Sequence, residues 1–223
     1  MKAELVDHMG TDARVVDSAR VSFSKEASNY NDEQNDRLIK YLAKHNHFTP
    51  FTHPQITIRE TVPIFVARQR FKHSVGFSYN EVSRRYVDDK PEFFVPEYWR
   101  KRPEGSVKQG SSEEKILDFG YIHKESSDQQ MFITYEKFLK IAENLYETAL
   151  AHGVAPEMAR MMLPQSMYTS YYVTGSLAAW ARAYKQRIDS HSQKEIQDLA
   201  KQWDTIIRPL FPVSWEALTH GQD

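Results

Sequence analysis

Cysteine is absent from all 223 residues, which removes disulfides, thiolate metal sites and cysteine nucleophiles together. Whatever covalent chemistry this chain supports proceeds without a thiol. Excess charge of either sign is missing too: 29 Lys+Arg stand against 30 Asp+Glu, a formal net charge of -1, so there is no molecule-wide basic field to draw in DNA or RNA. No nucleic-acid partner is expected. The opening Met1-Lys2-Ala3-Glu4-Leu5-Val6-Asp7 has no apolar run of the signal-peptide kind, and no stretch approaches the roughly 20 apolar residues that span a bilayer. A cytoplasmic protein without a membrane partner is the expectation. Internal repeats and low-complexity tracts are lacking as well. A hydrophobic content of 40% over this length suffices for one substantial core, so a single domain over 1–223 is the default.

What the chain does have is a concentrated anion cradle. Between Arg68 and Tyr86 five Arg or Lys surround a single acid, Glu81, with Ser74, Ser78, Asn80 and Ser83 between them. Arg offers planar two-point contacts to phosphate, Lys a compact charge, and hydroxyls and amides short neutral bonds that fix orientation. A phosphorylated small molecule suits this set. On charge alone, a helix with a solvated basic face explains it equally well.

Several elements are legible from periodicity. Asn31 to Lys44 carries Leu38, Ile39, Leu42 and Ala43 on one helical stripe, and Gln55 to Val62 alternates as a strand, with Ile56, Ile58 and Glu60 facing one way. A helix is expected from Pro63 to Gly76, burying Ile64, Ala67, Phe71 and Val75 and leaving Phe65, Gln69, Lys72 and His73 clear of that stripe. Ser78 to Arg85 then reads as a loop, and Asp88 to Ser126 as a surface excursion anchored by Phe93-Phe94-Val95-Pro96 and Tyr98-Trp99. Ser127 to Gln130 offers a capping box for a helix through Met131, Tyr135, Phe138, Ala142, Leu145 and Ala149. Pro156 to Met162 and Ser166 to Arg187 read as two further helices, and Ser192 to Glu195 as the cap of another that buries Ile196, Leu199, Trp203 and Ile206. Ala19 to Phe23 is open between strand and short helix.

The order of residues narrows the choice. Pro63-Ile64-Phe65-Val66-Ala67-Arg68-Gln69, Lys72-His73 and Asn80-Glu81-Val82-Ser83-Arg84-Arg85-Tyr86 together resemble the signature of flavin-dependent thymidylate synthases: Arg-His-Arg, seven residues, then Ser flanked by Asn-Glu and Arg-Tyr. The resemblance extends to Ala19-Arg20-Val21-Ser22-Phe23, to His45-Asn46-His47-Phe48-Thr49-Pro50-Phe51, to Ala159-Arg160-Met161-Met162-Leu163-Pro164, and to Arg187-Ile188-Asp189-Ser190-His191 and beyond. It implies an α+β fold, a small central and mostly antiparallel sheet flanked by long helices. It further implies a homotetramer with FAD held between subunits, converting dUMP to dTMP with methylenetetrahydrofolate as carbon donor and NADPH as reductant of the flavin. Lack of cysteine agrees, because the flavin class needs no protein nucleophile.

Carried over by position, Gln69, Lys72, Glu81, Ser83, Arg84, Arg85 and Arg160 resemble dUMP contacts, and Arg187 the catalytic arginine beside the pyrimidine, where a fixed guanidinium stabilises developing ring charge. His47, Thr49, Lys72, His73, Ser74, Glu81, Ser176 and Arg182 fall at FAD-side positions. No metal site is expected, because His45, His47 and His53 have no carboxylate or cysteine beside them. Three departures concern the cofactor side: Lys72-His73-Ser74 replaces Arg-His-Arg with one extra residue before Ser83, Ser176-Leu177-Ala178 replaces Asn-x-Arg, and Arg182 replaces a further Asn. The alternative is therefore a relative that binds dUMP and has lost flavin and catalysis. A nucleic-acid module built on the same basic segment is disfavoured by the near-neutral total.

Overall fold

The structure is a computed structural model and describes residues 1–104, 110–117, 119–124 and 130–221. In chain order its strands are β1 (Lys2–Met9), β2 (Gln55–Pro63), β3 (Phe77–Glu81), β4 (Trp99–Arg100), β5 (Lys115–Ile116), β6 (Gly120–Lys124), β7 (Gln130–Thr134) and β8 (Tyr168–Ser176). The helices are α1 (Asp12–Arg20), α2 (Asp32–Lys44), α3 (Ile64–Arg70), α4 (Tyr135–Ala151), α5 (Pro156–Ala159), α6 (Leu177–Ile188), α7 (Lys194–Ile207) and α8 (Pro212–Thr219). This is the α+β architecture expected. The chain gathers into two compact units: Met1–Thr61 with Arg68–Glu81 and Ser170–Asp223, and Val62–Ala67 with Val82–Thr169.

The first unit is built on the sheet β1-β2-β8-β3. β1 and β2 pair antiparallel, as do β3 and β8. Hydroxyl contacts between Thr57 and Thr174 and between Thr61 and Ser170 run in opposite senses, so the central pair is antiparallel too. The alternation read in β2 is real: Ile56, Ile58 and Glu60 are all fully buried, and on β8 so are Tyr171 and Val173. Over this face lie Leu177 and Trp180 of α6 and Ile196, Leu199, Trp203 and Ile207 of α7, all buried. The Trp180 indole N–H donates to the carbonyl of Ile56 at 3.1 Å, which ties α6 to β2 and satisfies the buried polar atom. Asp12 accepts from the backbone N–H groups of Val213 and Ser214, capping α8.

The second unit holds two small antiparallel hairpins, β4-β5 and β6-β7, and the long α4. Its core packs Tyr146 and Ala149 of α4 against Ala159 of α5. Phe93 and Phe94 anchor the segment as expected: Phe93 bridges Met167 and the Phe94 N–H donates to the carbonyl of Ser166 at 2.8 Å.

Five expectations are corrected. The helix expected over Ser166 to Arg187 is β8 followed by α6, because Tyr168-Thr169-Ser170-Tyr171-Tyr172-Val173-Thr174 is β-branched and aromatic and alternates in burial. Pro63 closes β2, and α3 ends at Arg70; Val75, expected in the core, is 71% exposed, and His73, expected clear of it, is buried. Ser78 to Glu81 is strand rather than loop. Met131 belongs to β7, and α4 starts at Tyr135 under the Thr134 cap; Ser127 to Gln129, read as a cap, lie outside the described residues, as does part of the excursion expected over 88–126. Ser192 does not cap α7, whose N-cap is Gln193; its hydroxyl donates to the carbonyl of Gln186 instead, and Ile207 is buried where Ile206 was expected. Ala19 to Phe23 is the end of α1 and a 3-10 turn.

Candidate functional site

The centre of the candidate site is the turn that joins α3 to β3. Gly76 sits there at φ +79, a backbone region costly for L side chains, and a Cβ on it would come within 2.9 Å of the Cβ of Ala179. The turn is therefore sealed against α6. This brings Gln69 and His73 to the last turn of α6, where Arg187 lies: Nε donates to His73 Nε2 at 2.8 Å, and Nη2 donates to the carbonyl of Gln69 at 3.1 Å. The Gln69 side chain donates in turn to Gln193 at 2.6 Å, at the start of α7.

An Nε2 that accepts from a guanidinium must carry a lone pair, so His73 is the neutral Nδ1–H tautomer. Burial, followed by the nearby Arg187, Arg70 and Arg182, pulls its pKa down to about 4. Arg187 is itself lowered, by burial first and Arg70 second. It nevertheless remains a cation at any working pH.

Below this pair lies a charged cluster that sequence periodicity left unassigned. Glu60, fully buried on β2, takes the Arg70 Nε–H at 3.2 Å and the Tyr171 hydroxyl. Arg70, also fully buried, donates through Nη1 to the Tyr79 hydroxyl at 2.6 Å, and that hydroxyl donates to the carbonyl of His73 at 2.7 Å. Burial pushes Tyr79 up to about 12. One signal could have found the cluster: a carboxylate in phase with Ile56 and Ile58 on an inward strand face requires a buried cation.

Lys72 and Ser74 flank His73 and are exposed, and Glu81 ends β3, also exposed. Ser176 is buried, and its hydroxyl accepts from the N–H of Ala179 at 3.3 Å as the N-cap of α6. Arg182, five residues before Arg187 on α6, bonds the carbonyl of Val75. It also lines a cavity of about 330 Å³ with Asn46, Phe48, Ala178, Lys185 and Gln186. His47 and Thr49 are exposed, His47 lying 6.1 Å edge-on to Tyr41. In the second unit, Ser83 Oγ accepts from the N–H of Arg85 at 3.3 Å, and its carbonyl takes Tyr86 and Val87. Arg84 bonds the carbonyl of Asp89, Arg85 lies 4.9 Å over the Tyr86 ring, and Arg160 is exposed with Nε on the carbonyl of Glu157. The structure thus joins Gln69, His73 and Arg187 directly. Ser83, Arg84 and Arg85 share a short turn of their own. Among the described residues no three His, Cys, Asp or Glu cluster as metal ligands would, and no helix is long and apolar enough to cross a membrane.

Fold and site define a mixed α/β protein with cation-rich turns suited to an anionic ligand. Residues 4–213 match the family of thymidylate synthase complementing proteins, Thy1. The chain is 38% identical over 213 residues to the flavin-dependent thymidylate synthase of Thermosipho africanus, covering 96% of this chain and 88% of that one. It is 35% identical to a Thermus thermophilus enzyme of the same name, covering 96% and 73%. Among solved structures it resembles PolB of Streptomyces cacaoi, a UMP/dUMP methylase bound with 5-Br dUMP, at 31% identity and a TM-score of 0.77 over 98% of this chain and 94% of that one. The chain belongs to the Thy1 family of flavin-dependent thymidylate synthases.

Proposed function

We propose that this protein converts dUMP to dTMP, taking the carbon from methylenetetrahydrofolate and the reducing equivalents from NADPH through FAD. The observation that carries the reading is the Arg187 guanidinium, fixed by the His73 ring and the Gln69 carbonyl in a chain that has no thiol. Arg187 stabilises negative charge as it builds on the pyrimidine; held in advance, it needs little reorganisation as the barrier is crossed. Gln69, Lys72 and Glu81 orient the nucleotide, and Ser83, Arg84, Arg85 and Arg160 receive its phosphate, the arginines as two-point donors.

FAD, when bound, supplies hydride. Its anionic diphosphate and aromatic rings fit the chemistry of the cavity beside Arg182, where two cations, Arg182 and Lys185, stand with Asn46, Gln186 and Phe48. Arg182 replaces there the charge that Ser74 and Ala178 do not provide. His47, Thr49, His73, Lys72 and Glu81 complete the set; Ser176, spent on the helix cap, acts on it only by placing α6. We take the working form to be a homotetramer in the cytoplasm, with each site shared between subunits. Exposed Phe138, Ile141 and Leu145 on one stripe of α4 support an oligomer.

The test is a product assay with dUMP, methylenetetrahydrofolate, NADPH and FAD. Arg187→Ala should lose at least about 100-fold in kcat, the scale of one lost transition-state donor, and keep its fold. Wild-type turnover in that variant removes the role. The occupied Ser176 hydroxyl favours a second reading, a dUMP-binding relative without flavin; purified protein with no flavin absorbance and no FAD affinity would select it.

A further inference from the structure

Arg70 is a cation with no surface at all, and its surroundings are unlike those of a charge kept for stability. Its guanidinium lies 4.4 Å from the ring centroid of Phe77, 4.7 Å from Trp180 and 4.8 Å from Trp203. Among the described residues its Nη2 has no hydrogen-bond partner. A buried ion pair such as Glu60–Arg70 often contributes nothing over an apolar pair of like volume, because desolvation offsets the attraction. What an apolar pair could not do is pass a direction along a chain of bonds. Here the chain runs from the Glu60 carboxylate to Arg70, from Arg70 to the Tyr79 hydroxyl, and from that hydroxyl to the carbonyl of His73. The His73 ring then receives Arg187.

We infer that Glu60, Arg70 and Tyr79 are positioning residues for Arg187: through the His73 carbonyl they fix the turn, and with it the ring whose Nε2 accepts from the guanidinium. This rests on the reading of Arg187 as the nucleotide's arginine. The groups facing His73 are Arg70 and Tyr79 from the turn and β3, and Arg182 and Arg187 from α6, with Lys72 and Ser74 as exposed neighbours in sequence. The charges that act on the ring are all positive. Protonating His73 would add a cation to that group and turn the acceptor into a donor aimed at Arg187. Removing Arg70 takes away one of the charges that oppose protonation.

The experiment compares full-length wild type, Tyr79→Phe and the double variant Glu60→Gln/Arg70→Met, which removes the pair as a unit and keeps an acceptor for Tyr171. Nitrogen-15 NMR of the histidine rings and arginine Nε–H groups reads the His73 tautomer, its titration midpoint and the Arg187 bond with no substrate present. Calorimetry reads dUMP affinity from pH 4.5 to 8. Tyr79→Phe should shift both resonances and weaken dUMP roughly five- to tenfold, the worth of one lost hydrogen bond. In the double variant the His73 midpoint should rise above about 4, with burial and Arg187 still holding it below the ordinary value, and dUMP affinity should begin to fall at a higher pH than in wild type. The nucleotide phosphate's own protonation, at pH ~6, is common to every variant; adding His73→Gln should abolish the excess acid limb of the double variant over wild type, a rescue that general loosening of the fold would not give. Unchanged His73 and Arg187 resonances in Tyr79→Phe and the double variant overturn the inference. If the double variant does not fold, Tyr79→Phe alone decides it. Should the NMR shifts appear while wild type binds no dUMP, the positioning stands and the nucleotide reading falls.

Discussion

His73 couples the site to pH through stability as well as through binding. Its pKa is about 4 in the folded chain and 6.5 in the unfolded one, so between those values the unfolded state binds more protons. Stability from this group is therefore complete above pH 6.5 and is lost as pH falls toward 4. His73→Gln, which keeps an acceptor for Arg187 and does not titrate, should flatten the curve. Urea titrations at pH 4.5 and 7.5 should show wild type losing on the order of 2 kcal/mol more than the variant. Equal losses would mean that His73 is as accessible to protons in the fold as out of it. His73, Gln69 and Arg187, which the structure joins by hydrogen bonds, were each singled out in the sequence because their order resembles a family signature. Arg70 was not. It sits two residues before Lys72 in a run of cations, and only the inward phase of Glu60 distinguishes it from its exposed neighbours.

At the scale of elements, Ser176 shows how one residue type serves two readings. As a substitute for a cofactor-binding asparagine it would contact FAD; as observed, it is the N-cap of α6. Ser176→Ala should cost about 1 kcal/mol of stability, and Ser176→Gly only a few tenths, while FAD affinity stays within twofold. A larger loss of flavin than of stability would restore the cofactor role. The elements legible in the sequence, β2, α2 and α7, each bury one face, so their period is written in apolar residues. β8 is hidden because the stripe of Trp180, Ala183 and Arg187 extends backwards in helical phase past the true helix start at Leu177. β1 left no pattern, since it is an edge strand exposed along most of its length, with its register broken between Leu5 and Asp7.

For the whole molecule, near-zero net charge leaves association to apolar contact. Phe138, Ile141 and Leu145 are each roughly half exposed on α4, at 45%, 47% and 52%. Placing a charge among them, as in Ile141→Asp, should shift the mass measured by sedimentation from four times 26.1 kDa to a smaller species and lower activity with it. An unchanged mass would locate the subunit contact elsewhere. Periodicity could not reveal this face, because a stripe that meets a partner and one that meets the chain's own core are written in the same residues.

The ion pair sealed under the turn between α3 and β3 also bears on heat. Hydration of charged groups becomes less favourable on warming, so the penalty for stripping water from Glu60 and Arg70 shrinks as temperature rises. The cluster that aims Arg187 is thus least burdensome to the fold when hot, and the fixed geometry it gives should outlast, on heating, that of a site held by exposed ion pairs.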